Sequence, residues 1–141
     1  MNAPLYNLEI LRLAASVADR PRLDAPGATV ERRSPTCGSR VIVDVSTDGD
    51  GRVTGFGQEV RACALGQAAA ALLGQHIIGR PVEDISNAAT ALRAFLANGR
   101  DDPGEWPGLS VFAPARPHSA RHASILLAFD AAAEAAQKAK A

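Results

Sequence analysis

The two cysteines are the side chains of this sequence best suited to covalent or metal chemistry. Cys37 stands in the run Thr36-Cys37-Gly38-Ser39, just before a predicted strand, and Cys63 stands where a strand gives way to an alanine-rich helix. A cysteine at a helix N-terminus has its thiolate favoured by unpaired N–H groups and the helix dipole, and the thiolate binds metal or accepts sulfur. Cys63 is therefore predicted to be the more reactive thiol. The alternative is a small buried apolar side chain.

The composition favours one small domain, which we predict to span residues 1–141. Of the 141 residues, 47% are hydrophobic, which suits a single core. The net charge is zero and the arginines are scattered from Arg12 to Arg121, so no basic stripe exists to bind nucleic acid. The longest apolar stretches, such as Ala68–Leu73, are far shorter than the ~18–20 residues that span a bilayer, and no signal-like segment is visible. We therefore expect a cytoplasmic protein without membrane partners.

The first third of the chain is predicted to contain one helix and a connector. An amphipathic helix is expected at about 4–18, where Leu5, Leu8 and Leu11 recur at helical spacing. Residues 20–36 are rich in charge and contain three prolines and a glycine, so they are predicted to form an irregular connector.

The middle of the chain is predicted to form strands over about 40–62. Valines alternate after Arg40, which indicates a strand, and the turn Asp48-Gly49-Asp50-Gly51 supplies residues that tolerate positive φ. The chain then returns as a second strand over 52–58. Residues 59–62 are a plausible third strand.

Helices are predicted to fill the remainder, at about 64–78, 84–97 and 120–137. The alanine and lysine tail after Gln137 is expected to fray. Strands grouped early and helices grouped late predict an α+β fold, in which helices pack on one face of a small antiparallel three-stranded meander. In such a meander both cysteines approach the same end of the sheet.

The order and separation of these motifs resemble the IscU/NifU N-terminal type of iron–sulfur cluster assembly scaffold, including its SufU-like branch. The resemblance covers most of the chain. The segments that carry it are the opening helix Leu5–Arg12, the Cys37-Gly38 pair before a strand, the hairpin turn 48–51, Cys63 before a small-residue helix, and the run Ala120–Phe129.

The resemblance also implies that two ligand positions have changed. Such scaffolds usually hold their metal or nascent cluster with three cysteines and an aspartate. Here the aspartate position is Ser39. The third cysteine position falls on Ser124 or on Ala123, depending on which form of the family motif is matched. A neutral hydroxyl is a poor iron ligand compared with a thiolate.

A reduced ligand set remains for iron, a transient iron–sulfur cluster or zinc, with the further possibility that no metal binds. Structural zinc and cluster sites usually take four protein ligands. Cys37, Cys63 and His122 would supply three, with an open or exogenous fourth position. The alternative for His122 is a surface residue in the first turn of a helix. His76 and His118 have no motif around them, which favours solvated or capping roles.

The resemblance implies a role in iron–sulfur cluster assembly that is not enzymatic. Cys37 and Cys63 would bind iron or a cluster, or would accept sulfur from a cysteine desulfurase partner alongside other assembly proteins. The alternative is an interaction module that keeps the scaffold fold but binds no metal. The sequence has no phosphate-binding loop, dinucleotide fingerprint or Gly-x-Ser-x-Gly motif that would favour another reaction class.

Overall fold

The computed structural model describes residues 5–16, 18–35 and 38–140. The elements in these residues, in chain order, are α1 (Leu8–Ala15), β1 (Ala28–Arg33), β2 (Arg40–Thr47), β3 (Val53–Arg61), α2 (Ala64–His76), α3 (Val82–Leu96), two 3₁₀ helices (Leu109–Ala115 and Ser119–Arg121) and α4 (His122–Lys140). No helix within these ranges is both long enough and apolar enough to span a membrane.

The three strands form one antiparallel sheet in the order β1-β2-β3. The predicted α+β fold class is therefore confirmed. The pairing of Arg40 with Arg61 places the beginning of β2 beside the end of β3. The segments that lead into β2 and out of β3 consequently meet at one end of the sheet.

The predicted strand boundaries are wrong in two places. β1 lies within residues 20–36, which were expected to be an irregular connector, and 53–61 is one strand where two were predicted. β1 is an edge strand in which only Val30 is buried, so it lacks the alternation that a half-buried strand shows. In β3, Gly55 and Gly57 weaken the strand pattern without breaking it.

The hydrophobic core lies between one face of the sheet and the helices. Val41, Val43 and Val45 point from β2 into it and are fully buried, because alternate residues of a strand share a face. Helix α4 packs across β1 and β2, while α2 packs between α1 and α4. Burial of α2 against two helices explains its run of small residues, since Ala68–Leu73 is buried throughout.

Helix α1 is shorter than predicted and buries a different side. It begins at Leu8 because the Asn7 side chain accepts a hydrogen bond from the backbone N–H of Ile10 at 3.0 Å. Ile10 is the buried residue, whereas Leu8 and Leu11, which belong to the predicted apolar stripe, are 61% and 49% exposed. The helix carries apolar residues on two sides, and their spacing alone does not show which side is buried. Residues 4 and 17 of the predicted segment lie outside the described residues.

The C-terminal helix continues past the predicted fraying point. Thr47 Oγ1 donates to the carbonyl of Ala139 at 3.3 Å, and Lys140 Nζ donates to Glu83 at 2.5 Å. These contacts tie the last turn to β2 and α3, which is why it stays helical. The expected fraying after Gln137 is therefore wrong.

Residues 20–27 form a strap across the face of the sheet opposite the helices. Arg20 exchanges backbone hydrogen bonds with Gln58 at the outer edge of β3, with N···O distances of 2.9 and 3.0 Å. The strap then crosses Gly57, where a Cβ would lie only 2.5 Å from the Pro21 carbonyl oxygen. It ends at β1, so it links the two edges of the sheet.

Candidate functional site

Cys63 lies at the junction of β3 and α2, where it is the N-cap residue of the helix. Its backbone is extended, with φ −66° and ψ 173°, and its carbonyl accepts the N–H of Gln67 at 2.9 Å. The thiol makes no capping hydrogen bond to the helix. It is half-buried, so its sulfur is held by the fold while solvent reaches part of the side chain.

Two serines extend from Cys63 into the interior. Ser124, the third residue of α4, places its Oγ 3.2 Å from the Sγ of Cys63. Ser39, just before β2, places its Oγ 3.3 Å from the Oγ of Ser124. Each serine is only 3% exposed. We call these three residues the Cys–Ser–Ser row.

The sheet register explains why the row assembles. The Arg40–Arg61 pair sets Ser39 beside the end of β3, and Cys63 follows two residues after that end. Helix α4 begins at the same end of the sheet and places Ser124 between Ser39 and Cys63. Three segments that are distant in sequence therefore contribute one side chain each.

Gly66 allows α2 and α4 to approach each other at the row. A Cβ at this position would lie 2.6 Å from the Cβ of Ala62 and 2.9 Å from the Oγ of Ser124. Any larger residue would displace one of them. Sequence reasoning missed Gly66, although an isolated glycine inside a helix often signals a close packing contact.

The structure separates the two candidates for the third cysteine position. Ala123 is exposed, whereas Ser124 is buried against Cys63. Neighbouring residues of a helix point about 100° apart, so only one of them can face the site. This arrangement favours the motif alignment that uses Ser124.

The His122 side chain is hydrogen-bonded to the backbone of the segment before α4. Its Nε2 lies 3.0 Å from the carbonyl oxygen of Ala115 and 3.2 Å from that of Arg116. Because a carbonyl only accepts, Nε2 carries the proton and donates. A metal would therefore have to bind Nδ1, and the ligand role of His122 stays a prediction.

The other two histidines stand in different surroundings. His118 is exposed, in keeping with a solvated role. The ring of His76 meets Trp106 edge to face, with centroids 6.5 Å apart.

Cys37 and Thr36 lie outside the described residues, so the predicted proximity of Cys37 to Cys63 stays a prediction. Across residues 5–16, 18–35 and 38–140, no three His, Cys, Asp or Glu side chains stand together as a possible metal site. The polar group in contact with the Cys63 sulfur is the neutral hydroxyl of Ser124. A hydroxyl can donate a hydrogen bond to a sulfur anion, so this part of the site suits sulfur chemistry.

The fold and much of the sequence match a solved protein. The N-terminal part of a NifU-like protein from Brucella abortus is 35% identical, with a TM-score of 0.90, and the match covers 96% of this chain and 94% of that chain. The chain belongs to the IscU/NifU-like scaffold family. The family resemblance drawn from the sequence motifs is thereby confirmed.

Other IscU/NifU-like proteins give consistent comparisons. The iron–sulfur cluster assembly scaffold protein IscU of Thermotoga maritima is 26% identical over 134 residues, which are 95% of this chain and 94% of the relative. A putative SUF-system scaffold protein from Fervidobacterium islandicum shares the fold, with a TM-score of 0.85 at 17% identity over 94% of this chain and 96% of that chain. No protein-family model matches the sequence.

Proposed function

We propose that this chain acts in iron–sulfur cluster assembly as a divergent, accessory scaffold that accepts sulfur on Cys63. The IscU relative is a named assembly scaffold, and the Brucella protein of the same family has nearly the same fold. The observation that carries the proposal is the 3.2 Å contact between the Sγ of Cys63, at the start of α2, and the Oγ of Ser124, at the start of α4. It sets a half-buried thiol beside a hydrogen-bond donor.

In this role a cysteine desulfurase is the partner that presents sulfur as a persulfide. The thiolate of Cys63 attacks the outer sulfur of that persulfide, a new S–S bond forms, and the desulfurase cysteine leaves as a thiolate. Cys63 then carries the persulfide, and no net oxidation or reduction occurs. In this proposed role the chain is a sulfur carrier and not an enzyme, because it accepts the sulfur atom and passes it on.

The hydroxyls of Ser39 and Ser124 support sulfur acceptance over stable metal retention. At the positions where the family resemblance implies an aspartate and a cysteine, neither hydroxyl supplies negative charge to a cation. Iron or a transient cluster would then depend on Cys37 and Cys63, with His122 as third ligand. We propose that Cys37 supplies the second thiol of the site.

A second candidate function is an interaction module that binds a desulfurase or another assembly protein without carrying sulfur. The apolar side chains exposed on α1 favour it, since Leu8 and Leu11 are 61% and 49% exposed and share one side of the helix.

Sulfur transfer to the peptide that contains Cys63 tests the proposal. The reduced protein is incubated with a cysteine desulfurase and cysteine, and mass spectrometry then locates the added sulfur. We expect one sulfur atom on Cys63, its loss in Cys63→Ser, and its persistence in the matched variant Cys37→Ser. A folded protein that captures the desulfurase but gains no sulfur on Cys63 would support the interaction module instead.

A further inference from the structure

We propose that Ser124 is a positioning residue that stabilises negative charge on the Sγ of Cys63, and that Ser39 orients the Ser124 hydroxyl for this task. The inference deepens the proposed sulfur-accepting function and rests on it for its biological meaning. Its physical content is narrower. It concerns the hydrogen bond between two side chains 3.2 Å apart.

The direction of the hydrogen bonds follows from the number of protons in the row. Each serine hydroxyl has one proton to donate and can also accept. A sulfur anion at Cys63 only accepts, so Ser124 must donate to it. Ser124 then has no proton left for Ser39 and accepts from it. Charge on the sulfur thus selects one arrangement, in which Ser39 donates to Ser124 and Ser124 donates to Cys63.

Burial makes this arrangement effective. Both serines are 3% exposed, so little water competes for their hydroxyls. A hydrogen bond to a charged acceptor is stronger than one between neutral groups, and linked hydrogen bonds reinforce each other. The absence of a side chain at Gly66 leaves room for the Ser124 hydroxyl, since a Cβ there would lie 2.9 Å from its Oγ.

The charge on Sγ changes in opposite directions in two reactions of Cys63. When a persulfide on Cys63 gives its outer sulfur to a nucleophile, the S–S bond breaks and Sγ leaves as a thiolate, so the Ser124 hydrogen bond assists. When the thiolate of Cys63 is alkylated, Sγ loses its charge, so the same hydrogen bond opposes the reaction. If Ser124 only filled space, its removal would not change the two rates in opposite directions.

The test uses proteins that carry Cys37→Ser, so that Cys63 is the sole thiol. The persulfide is made without a desulfurase: an aromatic thiol is first coupled to Cys63 as a mixed disulfide, and hydrosulfide then displaces it. Cyanide removes the outer sulfur as thiocyanate, which reports the release rate. Alkylation by iodoacetamide is measured at an alkaline pH at which the thiol is ionised. The variants are Ser124→Ala, Ser39→Ala and the control Ser119→Ala, an exposed serine ahead of α4.

We expect Ser124→Ala to release sulfur about tenfold more slowly, as befits the loss of one hydrogen bond to a charged group, and to be alkylated faster. Ser39→Ala should change both rates in the same directions but less, and Ser119→Ala should change neither. An unchanged release rate in folded Ser124→Ala, or two rates that move together, would overturn the proposal. If Ser124→Ala does not fold, the same two rates are compared in Ser39→Ala, and an unchanged release rate or two rates that move together would overturn the proposal. Because no desulfurase is used, the expected pattern can hold even where sulfur acceptance fails.

Discussion

The guanidinium of Arg22 donates two hydrogen bonds to the carboxylate of Asp44, through Nε at 2.6 Å and Nη2 at 3.1 Å. Asp44 stands on the middle strand with its side chain fully buried, and it also accepts from the N–H of Leu23 and the hydroxyl of Thr29. Burial raises the pKa of Asp44, but the hydrogen bonds outweigh it and leave the pKa below its ordinary value. The carboxylate is thus the anchor of the strap.

Asp44→Asn should destabilise the protein at neutral pH by about 2–3 kcal/mol, because a buried, fully hydrogen-bonded charge is lost. The native pKa is lower than the unfolded one, so this contribution is present above the unfolded value of about 3.9 and disappears as pH falls through the native value. Urea unfolding between pH 7 and pH 3 measures both effects. The exposed turn variant Asp50→Asn serves as control, and equal acid sensitivity of wild type and Asp44→Asn would contradict the assignment.

Gly57→Ala should destabilise the protein by about 1–3 kcal/mol, because its Cβ would lie 2.5 Å from the Pro21 carbonyl oxygen, which belongs to the backbone of the strap. Gly55→Ala on the same strand is the matched control. Its Cβ would meet the tip of the Leu23 side chain at 3.2 Å, which can move. Thermal unfolding measures the stability of both variants. Similar melting temperatures would show that the strap moves to accommodate the added methyl group, which would contradict the prediction.

Gly66→Ala should destabilise the protein by about 1–3 kcal/mol and alter the alkylation rate of Cys63, because the added methyl group would displace Ala62 or Ser124. In Gly74→Ala, on the same helix, the nearest atoms are those of the Arg20 guanidinium at 3.5 Å. That variant should be neutral or more stable by up to about 1 kcal/mol, as expected for alanine in a helix. Chemical unfolding and thiol labelling are measured for both variants. Equal stabilities and equal labelling rates of Cys63 in the two variants would contradict a close contact at Gly66.

Ser39→Asp combined with Ser124→Cys should bind iron or zinc more than about tenfold more tightly than the parent, because two anionic ligands would replace neutral hydroxyls beside Cys63. The matched control is Ser39→Asp with Ala123→Cys, whose new thiol would stand on the exposed side of α4. Competition against a chelator under anaerobic conditions measures the affinities. Equal metal binding by the two double variants would contradict the placement of Ser124.

The sequence predicts the fold class, because that follows from periodicity and element order. The meeting of the site segments depends on 53–61 being one strand, so that Arg61 at its end pairs with Arg40 at the start of β2. With a third antiparallel strand at 59–62, the chain would have left the sheet at the opposite end. The sequence does not predict β1, since an edge strand with Val30 as its one buried residue carries almost no alternation. It leaves Ser124 and Ala123 unresolved because the two forms of the family motif place the third cysteine on different residues. The role of Gly66 is not predicted either, because it depends on two packing contacts that the sequence does not show, one with Ala62 and one with Ser124 of the distant helix α4.

The backbone pairing of Arg20 with Gln58 also bears on self-association. A bare edge strand offers unpaired N–H and C=O groups on which a strand of another molecule can add. The strap occupies this position on β3, while β1 at the other edge exposes the charged side chains of Glu31, Arg32 and Arg33, which disfavour such addition. The sheet is thus protected against edge-to-edge aggregation on both sides.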